Sequence, residues 1–116
     1  MVFIVEVRLI GFEEFDKSSI EKIKGAAQPL IDEFGRIFGE EHIQEFKIAA
    51  DTLRKKREKY LYEVIGSFNT TLGSFKAKKS GWDLMSVIDE VIDNLERQIL
   101  EKKEMQKKRR KLPANA

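Results

Sequence analysis

A chain of 116 residues is the length of one domain, and it contains no cysteine and one histidine, His42. Disulfide scaffolds, thiolate metal sites, cysteine nucleophiles and two-histidine acid–base schemes are therefore excluded, and the composition suits a reducing cytoplasm. Formal net charge is only +2 although 36% of residues are charged. The charge is divided: residues 1–46 hold five Lys/Arg against ten Asp/Glu, and residues 47–116 hold seventeen against ten. Such asymmetry points to a polyanion-binding face on the basic side.

No apolar run approaches the roughly 18 residues that span a bilayer. Met1–Val5 is short, and Glu6 and Arg8 interrupt it, so it is read as a strand and not as a secretory signal. Phe3, Val5, Val7 and Leu9 alternate onto one face and predict a strand over residues 2–10, ended by Gly11. Ser18 followed by Glu21 has the spacing of a capping box. Beyond it Ile20, Ile23, Ala27, Leu30, Ile31, Phe34, Ile37 and Phe38 form one helical stripe, which Gly39 ends. Pro29 would clash with the carbonyl of Gly25, so a kink, or two short helices meeting near Gln28-Pro29, is expected.

Residues 44–53 predict a second strand, with Phe46, Ile48 and Ala50 on one face. The basic run Arg54–Lys59 is assigned to the loop that follows. A third strand, residues 60–68, carries Tyr60, Tyr62, Val64 and Phe68 on one face. Asn69–Gly73 is a turn, and a fourth strand, residues 74–79, completes a hairpin. Asp83 is a good N-cap for a second helix, whose stripe runs through Leu84, Val87, Ile88, Val91, Ile92, Leu95 and Ile99. The expected fold is α+β: two layers in the order β-α-β-β-β-α, a four-stranded sheet with two helices packed on one face. Residues 1–101 form the domain, and residues 102–116 a basic tail, either helix extension or disordered.

Three basic clusters carry the functional signal. The tail presents Lys102, Lys103, Lys107, Lys108, Arg109, Arg110 and Lys111. The second cluster is Arg54, Lys55, Lys56, Arg57 and Lys59, and the third is Lys76, Lys78 and Lys79. Lysine and arginine contacts to phosphate supply most sequence-independent nucleic-acid affinity, and the three clusters on one surface would make a groove for a phosphate backbone. Tyr60, Tyr62 and Trp82 are read as packing residues, with Trp82, beside a turn, the best candidate for stacking on a base. His42, next to Glu40 and Glu41, is read as a surface residue and not as a metal ligand. Asp89 and Asp93, four apart on one helix face, are read as a solvated stripe and not as an acid–base pair. With no glycine-rich phosphate loop and no nucleophile elbow, the chain is expected to be non-enzymatic, without cofactor, metal or small-molecule substrate.

The segment Ser80–Ile99 resembles the last helix of the ribosome hibernation-promoting factor family, also called protein Y, in a short and divergent form. The matching positions are Gly81, Asp83, Ile88-Asp89, Asp93, Leu95, Arg97-Gln98 and the lysines from Lys102 onward. The order of elements also agrees with that family's fold. The resemblance implies a cytoplasmic factor that blocks translation by occupying small-subunit ribosomal RNA near the decoding region, with ribosomal proteins as neighbours. It implies RNA contacts at Arg97, Lys102, Lys103, Lys107 and Lys108. Two departures stand out: Met85 replaces a frequent aromatic, and the first helix mixes Lys22, Lys24 and Arg36 with acidic residues. The chain is read as a short form without the further C-terminal domain of long members; self-association through its acidic half or a sheet edge could still bridge two small subunits. The alternatives are a generic structured-RNA-binding module and a protein-interaction adaptor that uses the acidic N-terminal half.

Overall fold

The computed structural model describes residues 7–13 and 15–111, with side chains described as far as Met105. In chain order it contains β1 (Val7–Ile10), α1 (Lys17–Phe38), a 3-10 turn (Glu40–His42), β2 (Ile43–Lys56), β3 (Lys59–Thr70), β4 (Gly73–Gly81) and α2 (Leu84–Lys111). The strands form one sheet in the order β1-β2-β3-β4. β1 runs parallel to β2, and the other pairs are antiparallel. A parallel neighbour requires a crossover, which α1 provides; the later strands need only tight turns. The order and the two-layer α+β architecture are those expected from the sequence.

Period-two alternation decides which face is covered. Val7, Phe46, Ile48, Val64, Phe68, Phe75 and Ala77 are buried, and both helices pack on that side. Phe34 of α1 sits 5.1 Å from Phe68 and 6.2 Å from Phe75, and Phe68 lies 5.1 Å from Phe46. The buried stripe of α2 is Val87, Ile88, Val91, Ile92, Leu95 and Ile99. Gly66 lets α2 rest on the backbone of β3. A Cβ there would stand 2.6 Å from Val91 Cγ1 and 3.0 Å from Leu95 Cδ1. The predicted first strand is seen as its second half, with Val7 buried and Leu9 half-buried; Phe3 and Val5 lie outside the described residues.

The structure differs from the sequence reading at the β3–β4 turn, which is Thr71 and Leu72 and not Asn69–Gly73 because Thr70 pairs with Gly73, and at three further points. First, α1 is one continuous helix with Pro29 inside it. Pro29 is on the solvent side, where helices curve outward and their hydrogen bonds lengthen, so the missing bond is tolerated without a break. Second, the N-cap is Asp16 and not Ser18. The Ser19 N–H donates to Asp16 Oδ1 at 2.8 Å, two residues earlier than the Ser18–Glu21 pattern implied. Hydrogen bonding from Ser19, by its side chain and then its backbone, holds the Asp16 carboxyl below its usual range. Third, β2 continues through the basic run. Lys56 pairs with Lys59, so Arg54–Lys56 are strand residues and only Arg57 and Glu58 turn. Arg57 takes the left-handed conformation (φ 57°) that a two-residue hairpin turn demands.

The second helix begins as the sequence indicated. The Val87 N–H donates to the Asp83 carbonyl at 3.0 Å, and the Ser86 hydroxyl donates to Asp83 Oδ2 at 2.9 Å. α2 then runs antiparallel to β4. Val87 lies over Gly81, Gln98 donates to the Lys76 carbonyl at 2.8 Å, and Lys102 Nζ approaches Gly73. The helix continues through Lys111, so residues 102–111 of the basic tail are helical; residues 112–116 lie outside the described residues.

Candidate nucleic-acid interface

Among the described residues, no layer covers one face of the sheet. Cross-strand pairing fixes its residues: Arg8 and Ile10 on β1, Glu45, Lys47, Ala49 and Asp51 on β2, Leu61, Glu63, Ile65, Ser67 and Asn69 on β3, and Ser74, Lys76, Lys78 and Ser80 on β4. None of them is buried. A register shift between Thr52 and Arg54 moves the alternation by one residue, so Arg54 pairs with Leu61 on this same face, and Lys56 pairs with Lys59. The bulge thus turns Arg54 and Lys56 toward the open face and Lys55 toward the other, where its ammonium stands 5.4 Å over the Tyr60 ring.

The open face is cationic. Arg8, Lys47, Arg54, Lys56, Lys59, Lys76 and Lys78 stand on it, against Glu45, Asp51 and Glu63. Two cations are engaged: Arg8 donates to Glu45 at 2.9 Å, and Lys78 lies 3.4 Å from Glu63. Lys47 and Lys76 lie in one row across the sheet with Arg8 and Ser67. Beside that row runs an apolar one, Ile10, Ala49 and Ile65, ending at Lys78. From the Lys76 row to Lys59 the basic face extends about 27 Å along β3.

The helical layer has a different balance. α1 mixes Lys17, Lys22, Lys24 and Arg36 with Glu21, Asp32 and Glu33. α2 from Leu84 to Glu96 carries Asp89, Glu90, Asp93 and Glu96 and no cation. Asp89 and Asp93 are exposed on its outer side, and Arg97 follows as its first positive residue. The acidic patch of the helical layer is therefore confined to the first half of α2; over its whole length that helix holds eight Lys/Arg and six Asp/Glu.

The three basic clusters do not converge on one groove. The β2–β3 hairpin tip lies at the Gly81 end of the sheet, and Lys102 lies at the Gly73 end. Lys103–Lys111 lie further along α2 at that second end, and the molecule measures 64 × 34 × 17 Å. Lys76 and Lys78 face outward between the ends, whereas Lys79, paired with Val64, belongs to the helix-covered side at its rim. The structure places helix backbone at Lys107, Lys108, Arg109, Arg110 and Lys111. Tyr60 and Tyr62 pack against each other at 6.1 Å at the sheet's end, the first exposed and the second half-buried, while Trp82 is 45% exposed. His42 Nδ1 meets Thr71 Oγ1 at 2.7 Å and so fastens the β3–β4 turn. No group of three metal-ligating side chains occurs among the described residues. Sequence reasoning did not single out Arg8 and Lys47, although their parity with Lys76 is present in the alternation.

A two-layer β-α-β-β-β-α domain whose described residues leave one cationic sheet face uncovered is the class of molecule that these observations define. Over residues 6–115 the chain matches the family described as hibernation factor Hib, C-terminal domain, and it belongs to that family. The crystal structure of the Thermus thermophilus protein Y N-terminal domain is similar at 16% identity, over 84% of this chain and 96% of that one, with a TM-score of 0.44. No curated protein matches the chain in sequence. No helix among the described residues is long and apolar enough to cross a membrane.

Proposed function

We propose that this protein is a cytoplasmic hibernation factor that silences ribosomes by occupancy, docking on small-subunit ribosomal RNA through its open sheet face and the basic end of α2. Membership of the Hib family supports the hibernation role. The observation that carries the surface is the contrast between the open sheet face, where Lys/Arg outnumber Asp/Glu seven to three, and the first half of α2, which carries carboxylates and no cation. Phosphate contacts from Lys47, Arg54, Lys56, Lys59 and Lys76 supply affinity, and the sheet face supplies shape, which is how structured RNA is chiefly recognised. Arg97, Lys102 and Lys103 extend the contact along α2. The reading requires no chemistry at the site: bound protein excludes messenger and transfer RNA by volume.

The test is sucrose-gradient sedimentation of cognate ribosomes with and without the protein at low and moderate salt. Co-migration with the small subunit, weakening as salt rises, is expected. A faster peak would report two subunits bridged by a homodimer. Protein remaining at the top of the gradient at every salt would refute the docking.

A further inference from the structure

An open cavity of about 750 Å³ lies at the hairpin end of the sheet, lined by Lys56, Arg57, Glu58, Lys59 and Trp82. That volume falls in the range of ligand-sized pockets, roughly 300–1,000 Å³. Unequal strand lengths build it. β4 ends at Gly81, opposite Tyr62, whereas β3 extends to Lys59. Among the described residues, 59–61 of β3 therefore pair with β2 alone, and their other edge presents backbone N–H and C=O groups on the side where Trp82 continues the chain. Trp82 is the only tryptophan in the chain and keeps 45% of its surface in water, an arrangement that forgoes much of the hydrophobic gain an indole offers.

We propose that this cavity seats one unpaired RNA nucleotide, its base stacked on Trp82 and its phosphate held by Lys56, Arg57 and Lys59. The inference rests on the RNA-docking reading and adds a division of labour: the open face follows a phosphate backbone, and the hairpin end captures a splayed-out base. Three cations against the single carboxylate of Glu58 favour a polyanion over a peptide strand at this edge. A π-face accepts any base, and the free strand edge offers donors and acceptors to the base's exposed rim. Bases inside a duplex present no such face, so the cavity discriminates single-stranded from paired RNA.

Because Trp82 is the sole tryptophan, its fluorescence reports this site directly. The full chain is titrated with an unstructured RNA of about ten nucleotides and with a blunt duplex of equal length. The single strand should quench the emission and the duplex should bind without quenching. Trp82→Ala should weaken single-strand binding by about 5- to 150-fold, leaving duplex affinity and its salt dependence unchanged, and Trp82→Phe should restore part of the loss. Arg57→Glu, which keeps the indole, should reduce both affinity and quenching. Equal quenching by both RNAs, an unaltered affinity in Trp82→Ala, or quenching by a basic peptide and not by RNA would overturn the proposal. Sedimentation separates the two readings. If wild type and Trp82→Ala bind small subunits equally across salt, the cavity fails and the docking stands; if wild type does not bind at all, the docking fails.

Discussion

Removing Lys47 and Lys76 together is the sharpest probe of the open face. The two lysines share one row across the sheet, and among the described residues neither lies within an ion pair. Their replacement by alanine leaves no buried charge behind, so stability should move by no more than about 0.5 kcal/mol. Each phosphate contact contributes roughly 0.7–0.9 to the slope of log affinity against log salt, so the double variant should lose roughly 1.4–1.8 from that slope. Over a fourfold rise in salt the gap between wild type and variant should close by about seven- to twelvefold. Binding to purified small subunits, measured across the salt range with thermal melting as the folding control, gives both numbers. Parallel salt lines for the two proteins would refute the sheet-face assignment. So would a slope that instead responds to charge reversal at Glu90 and Asp93 on α2.

Glu63→Gln should act in the opposite direction, since it releases Lys78 from its 3.4 Å partner; a modest gain in affinity at low salt, fading as salt rises, is the expected result in the same assay. Gly66→Ala should destabilise the fold by about 1–3 kcal/mol, because the new methyl meets Val91 and Leu95 from a backbone that cannot retreat; chemical denaturation measures it. Phe34→Ala should cost about 3–5 kcal/mol by emptying the centre of the aromatic cluster, read in the same way. The Asp16 cap carries a pH signature. Its folded-state pKa is depressed, so its contribution is complete above the ordinary carboxylate value and is lost as pH falls through the lower, folded value. Melting temperature against pH should therefore fall less steeply in Asp16→Asn than in wild type on acidification, and identical profiles would contradict the cap.

The fold is legible in the sequence where periodicity is clean. Alternation at Phe46, Ile48, Val64, Phe68, Phe75 and Ala77, together with the stripe from Val87 to Ile99, is enough to define the core faces. What stays hidden depends on which partners each residue meets. Arg54–Lys56 looks like a loop because it is polar throughout, yet hairpin pairing with Lys59–Leu61 makes it strand, which polar composition does not encode. The cap falls on Asp16 because it competes with Ser18 two residues away, and both satisfy the same local rule. The basic positions are plain in the sequence, but their grouping is not. Whether Lys102 stands at the Gly73 end or at the hairpin end of the sheet depends on the direction in which α2 crosses β4. Arg8 and Lys47 are inconspicuous because isolated charges in strands look like ordinary solvent-facing residues until the register aligns them with Lys76.

The uninterrupted course of α2 sets a fixed gauge. Its 28 residues span about 42 Å, beginning beside Trp82 and ending in the cluster of lysines and arginines. A partner that engages both ends must present its two contacts at that separation, and the second contact then forms at a high effective concentration. Each residue inserted near Leu100 would advance the basic end by about 1.5 Å and rotate it by about 100°. Function should therefore tolerate exchange of individual lysines and arginines beyond Leu100 better than a change in their distance from the hairpin: in this segment the spacing carries the information, and the identity of each cation carries little.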